Sequence, residues 1–110
     1  MDNGSLYESL ESTLEREFPG LKLHMYWSDI VKVLKVMLIQ VSDKRQGTGS
    51  EVMRRICSVA DEHGHHVALS PDTGFGSSKA GLIRFYRRHG FVPSRDLAIS
   101  ETMIRFPRKG

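Results

Sequence analysis

Residues 30–63 constrain the fold more than any other stretch of the chain. Residues 30–41 are rich in β-branched and aliphatic side chains. They end in the unbroken apolar run Val36-Met37-Leu38-Ile39, the pattern of a strand covered on both faces. A polar loop with two glycines follows, Ser42-Asp43-Lys44-Arg45-Gln46-Gly47-Thr48-Gly49-Ser50. Residues 51–63 then set Val52, Met53, Ile56, Val59 and Ala60 on one helical face, with Gly64 placed to cap the helix end. Strand, glycine loop and helix in direct succession form the unit that connects parallel strands through a helix.

The flanking segments extend this pattern. Residues 5–18 predict a helix, with Leu6, Leu10, Leu14 and Phe18 at spacings of four and a capping box from Ser5 and Glu8. Pro19-Gly20 ends it. Residues 21–27 alternate apolar and polar side chains, as a half-buried strand does. After Gly64, residues 66–69 read as a short strand and residues 70–78, with Pro71, Gly74 and Gly76, as a loop. Residues 79–89 read as a second amphipathic helix followed by Gly90, residues 91–92 as a strand start, 93–96 as a turn and 97–106 as a final strand. The order α-β-β-α-β-α-β-β implies a mixed α/β sheet with helices on its faces. With 110 residues, one domain and one core are expected over residues 1–110.

Several classes are disfavoured. The most apolar run is interrupted by Lys32, Lys35 and Gln40, so no membrane span is expected, and the first residues lack the pattern of a signal peptide. Cys57 is the sole cysteine, which fits a reducing, cytoplasmic setting. Its neighbours Met53, Ile56 and Ala60 mark it as a core filler. His63, His65 and His66 are dense, but no spaced set of Cys, His and carboxylate ligands supports them, so no metal site is expected. The net charge of +3 favours anionic ligands. A nucleic-acid role would use the clusters Lys44-Arg45 and Arg84, Arg87 and Arg88, yet no exposed aromatics are interleaved with them.

The glycine loop is the first chemical feature. A helix starting near Gly49 or Ser50 presents unpaired N–H groups and a partial positive charge. Gly47 and Gly49 let a ligand approach the backbone, and Lys44 and Arg45 add full charges. Together they make a diphosphate site. A Walker A loop fails because Ser50-Glu51 follows Gly49, and a dinucleotide fingerprint fails because Val52 stands where a third glycine is required.

What remains is a resemblance. Lys44-Arg45-Gln46-Gly47-Thr48-Gly49 resembles the acyl-CoA loop of the GCN5-related N-acetyltransferase (GNAT) family, with Lys44 in place of the usual Gln or Arg. Phe85-Tyr86-Arg87-Arg88-His89-Gly90-Phe91 resembles the second signature of that family, one helix, one strand and one loop further on. The resemblance covers residues 31–106. The resemblance implies a GNAT-like acyl-CoA N-acyltransferase fold with acetyl-CoA as co-substrate. It implies that backbone groups of Ile39, Gln40 and Val41 pair with the pantetheine arm, and that the loop amides of Gln46, Gly47, Thr48, Gly49 and Ser50 hold the pyrophosphate. It also implies that Tyr86 donates a proton to the departing thiolate. A phenol suffices there because the thiolate is itself fairly basic. Arg84, Arg87 and Arg88 are candidates for the 3′-phosphate of CoA, and a general base is not identifiable among Asp43, Ser70, Asp72, His24, Tyr26 and Glu101.

The chain departs from the family in having one helix and one strand before the acyl-CoA strand, where members have more. The Asn common before the second signature helix is also absent. An open acceptor site for a macromolecule, or one completed by a second copy in a homodimer, is therefore expected. The segment Phe75-Gly76-Ser77-Ser78 and the late Ile99-Ser100-Glu101-Thr102-Met103 resemble short acetyltransferase-like proteins carried by phages and plasmids. The leading expectation is N-acetylation of a primary amine on a small amine, a protein or an aminoacyl-tRNA. The alternative is a catalytically silent GNAT-fold module that inhibits or regulates a partner protein. Trp27 and Tyr26 are read as core or sheet packing ahead of an acceptor-pocket role.

Overall fold

A computed structural model describes residues 2–42, 47–71 and 78–108. Three helices and five strands follow in the order α1 (Asn3–Glu17), β1 (Lys22–Ser28), β2 (Val33–Gln40), α2 (Thr48–His63), β3 (His66–Leu69), α3 (Lys79–Arg88), β4 (Val92–Pro93) and β5 (Met103–Arg105). This is the expected sequence of elements. Helix α1 starts earlier than expected, because the Asp2 carboxylate accepts the Ser5 amide at 2.7 Å and serves as the N-cap. Ser5 is therefore inside the first turn and forms no capping box with Glu8.

The sheet is mixed, in the order β1-β2-β3-β5-β4. β1 and β2 are antiparallel, β2 and β3 parallel, and β5 runs antiparallel to both β3 and β4. The β1–β2 hairpin turn claims more residues than the sequence pattern indicates. Lys32 adopts a left-handed φ of 58° and donates its amide to Ser28 O at 2.8 Å, so β2 begins only at Val33. The last strand is likewise shorter than expected. Asp96 accepts the amides of Ala98, through its side chain, and Ile99, through its carbonyl, and this turn removes residues 97–102 from the ladder.

The two faces of the sheet are covered unequally. Leu23, Met25, Trp27, Leu34, Val36, Val67, Leu69 and Met103 form one core with Tyr7 and Leu14 of α1 and with Val52, Met53, Ile56, Cys57 and Ala60 of α2. Tyr86 and Phe91 complete it. The opposite face carries a small second cluster of Val33, Ala68, Ile99 and Ile104, with Val31 packed against it. No helix contributes to that cluster.

Arg105 locks the C-terminal strand to the helix layer. It is only 4% exposed. Its guanidinium donates to both Asp61 oxygens at 2.6 and 3.0 Å, and its Nε donates to His89 O at 2.8 Å. The Arg108 amide adds a bond to Asp61 at 2.9 Å. A nearly buried charge survives because its partner is charged, fork-shaped and close. This pairing holds the Asp61 carboxyl below the usual carboxylate range.

Candidate functional site

The parallel ladder is short. Val33, Leu34 and Lys35 lie opposite His66, Val67 and Ala68, and there the pairing ends. β2 continues to Gln40, held only by β1, while β3 continues to Leu69 against β5. A bulge at Met37 sharpens the parting, since Leu38 and Val36 pair with the adjacent residues His24 and Met25 and leave Met37 over. The two central strands therefore diverge.

A cleft of about 510 Å³ occupies that divergence. One wall is the second half of β2 with Val41 beyond it. The start of α2, through Gly47, Gly49 and Ser50, closes one end. Leu69 and Ser70 come from the end of β3, and Leu82, Phe85, Tyr86 and Arg88 come from α3.

The start of α2 is a glycine-capped helix N-terminus. Its cap residue, Gly47, has a φ of 70° and no side chain with which to cap the helix. A side chain at residue 47 would be strained by that backbone angle even though the space around it is open. Gly47 thus offers the first-turn amides no capping group, and the positive end of the helix dipole lies with them. The one carboxylate in that turn, Glu51, is paired with Arg54. Gly49 faces α3, and a Cβ there would lie 3.7 Å from Phe85 Cζ. A methyl group fits in that space; a long acidic chain would enter the cleft.

α3 is capped by Ser78, whose hydroxyl accepts the Gly81 amide at 3.0 Å. The helix presents Tyr86 inward. Tyr86 is 5% exposed, lines the cleft and meets Phe91 edge to face at 5.7 Å. It is at once a core aromatic and a cleft residue.

The cleft brings together Ile39, Gln40, Val41, Gly47, Gly49, Ser50 and Tyr86. Thr48 opens α2 without lining it, and Lys44, Arg45 and Gln46 lie outside the described residues. Of the three arginines on α3, only Arg88 lines the cleft. Ser78 and Gly81 also line it; the α3 capping pattern signals them, but only once the helix start is known.

The other singled-out residues have structural surroundings. Trp27 is buried against Tyr7 and His65 and donates its indole N–H to Asp29 at 2.9 Å. His65 Nδ1 meets the Tyr7 hydroxyl at 2.6 Å, while His66 packs against Phe106. Among the described residues no three His, Cys or carboxylate groups converge as metal ligands. Burial pushes the Cys57 thiol up to about 11. Among the described residues no helix is long and apolar enough to cross a membrane.

No family model and no curated protein matches the sequence. Solved structures match the fold, among them the following two. The anti-CRISPR protein AcrVA5 superposes with a TM-score of 0.59 at 23% identity, covering 77% of this chain and 88% of that one. Ard1 from Thermoplasma volcanium superposes with a TM-score of 0.50 at 22% identity, covering 93% of this chain and 80% of that one. The fold is GNAT-like.

Proposed function

We propose that the protein transfers the acetyl group of acetyl-CoA to a primary amine. The observation that carries this reading is the convergence on one cleft of a strand edge without a parallel partner, a glycine-capped helix N-terminus and Tyr86. These are the three things an acyl-CoA donor needs from a protein. Main-chain groups at Ile39, Gln40 and Val41 pair with the amides of the pantetheine arm. First-turn amides of Thr48, Gly49 and Ser50 hold the diphosphate, with Lys44 and Arg45 as counter-charges and Arg88 as a further cation at the cleft wall.

Acetyl-CoA would supply an activated thioester carbonyl. The acceptor nitrogen attacks that carbon, the carbon–sulfur bond breaks, and the sulfur leaves with the bond's electron pair. Tyr86 gives its hydroxyl proton to that sulfur and recovers one as the acceptor ammonium is deprotonated. Its packing against Phe91 fixes where the hydroxyl stands.

Gly49→Glu tests the cofactor half of the reading. It should abolish acetyl-CoA binding in a calorimetric titration while the circular dichroism spectrum stays that of the parent. Unchanged binding would remove the loop from the site.

A second reading is a catalytically silent module that acts by covering a partner. It is favoured by the apolar side chains left outside both cores, Ile30, Leu97 and Phe106, and by the likeness to a solved anti-CRISPR protein. It predicts partner binding that survives Gly49→Glu and Tyr86→Phe.

A further inference from the structure

The five-stranded sheet ends in β1 on one side and in β4 on the other. β4 is two residues long and includes Pro93, which has no amide, so that end offers little to another strand. β1 is different. It is seven residues long and pairs with β2 along one side only. Its other side would present a row of main-chain N–H and C=O groups to any strand that came alongside.

That row is occupied from within the chain. The Leu23 amide donates to Glu15 Oε2 at 3.1 Å, and the Met25 amide donates to Glu11 Oε1 at 2.7 Å. The spacings match. Residues four apart on a helix lie about 6 Å apart along its axis, and residues two apart on a strand about 6.7 Å. Two glutamates on one helical face therefore meet two successive outward amides of a strand running the opposite way. Tyr7 and Leu14 tie the body of α1 into the core with Leu23, Met25 and Trp27, and the two carboxylates make the contacts to the edge. Glu15 is exposed, and the Glu11 side chain is 23% exposed and lies 3.7 Å from His24 Nδ1. The carbonyls of an approaching strand would need those amides and would meet carboxylates instead.

We propose that Glu11 and Glu15 are a guard that, by occupying these amides, keeps the β1 edge from pairing with β1 of a second copy. Removing the two acceptors turns the chain into a dimer with one continuous sheet. A second copy is the fitting occupant because the pairing is self-complementary. With β1 antiparallel to its twofold mate and Met25 at the axis, the Met25 amide meets the carbonyl of the partner's Met25, and the Leu23 amide meets that of the partner's Trp27. The strand's alternation is kept: Leu23, Met25 and Trp27 stay on the core side, and Lys22, His24 and Tyr26 on the other. The proposal is independent of the acetyl-transfer reading. It gives the helix before β1 a task that a further strand would otherwise perform, closing the sheet.

The test is Glu11→Ala combined with Glu15→Ala. Alanine is the better helix former, so the exchange leaves the propensity of α1 intact. Light scattering at neutral pH should give about twice the mass of the parent at high concentration, falling back on dilution. In hydrogen exchange the Leu23 and Met25 amides should be slow in the parent, fast in the dilute double variant and slow again in its dimer. Glu11→Gln with Glu15→Gln keeps an acceptor at each position and should keep the parent's mass. An alanine variant that stays at the parent's mass at every concentration would overturn the proposal. So would a dimer in which the Leu23 and Met25 amides exchange fast, or a glutamine variant that dimerises as the alanine one does. Should the alanine double variant lose the circular dichroism spectrum of the parent, Glu15→Ala alone, at an exposed side chain, carries the same test through the Leu23 amide.

Discussion

At the scale of single residues, Tyr86 is central to the proposed chemistry. The side chain has two duties, core packing against Phe91 and a place in the cleft wall, and they can be separated. Tyr86→Phe keeps the ring and deletes the proton. Turnover with a good amine acceptor should fall by about a hundredfold or more, the usual worth of a positioned acid, while the affinity for acetyl-CoA changes little. Steady-state kinetics check this, and unchanged kcat would leave Tyr86 with packing alone. His65 carries a second prediction. Burial, and next the neighbouring His63, holds its pKa below the ordinary histidine value. The folded state thus disfavours the proton. Stability is complete above the unfolded value of about 6.5 and declines as the pH falls through the window below it. Thermal melts from pH 7.5 to 5 should show this decline, and Tyr7→Phe with His65→Phe should flatten it.

At the scale of elements, the tie between β5 and α2 is the most consequential. Asp61→Ala would strand Arg105 in a nearly dry site, and a loss of about 3 kcal/mol is expected in urea unfolding. Because Arg105 first, and the Arg108 amide further, depress the Asp61 pKa, their stabilisation is present at neutral pH. It is lost as the pH falls below the unfolded carboxyl value toward the lower folded one. The strand–loop–helix core of the fold was legible because apolar runs and helical stripes report burial directly. Leu23, Met25 and Trp27 on β1, and Met53, Ile56 and Cys57 on α2, are buried as their spacing implies. What was illegible depends on polar backbone contacts that leave no periodic mark. Asp2 displaced the Ser5 cap, Lys32 took up a left-handed turn, and Asp96 folded residues 97–102 out of the last strand. The cleft wall contributed by β2, Gly47, Gly49, Ser50 and Tyr86 was readable from motifs. The Glu11 and Glu15 bonds to β1 were not, since helical spacing puts both carboxylates on one face and says nothing of the strand amides opposite them.

At the scale of the whole molecule, the sheet opens between its central strands and packs its larger core against helices on one face. The helices on that side pack beside the divergence, and Ile99 covers the smaller cluster on the other. All of this serves one claim, that the cleft between β2 and β3 holds acetyl-CoA. Calorimetric titration of the purified protein with acetyl-CoA tests it most directly. One site per chain with a dissociation constant in the micromolar range is expected, with binding abolished in Gly49→Glu; no heat of binding at millimolar acetyl-CoA would contradict the claim.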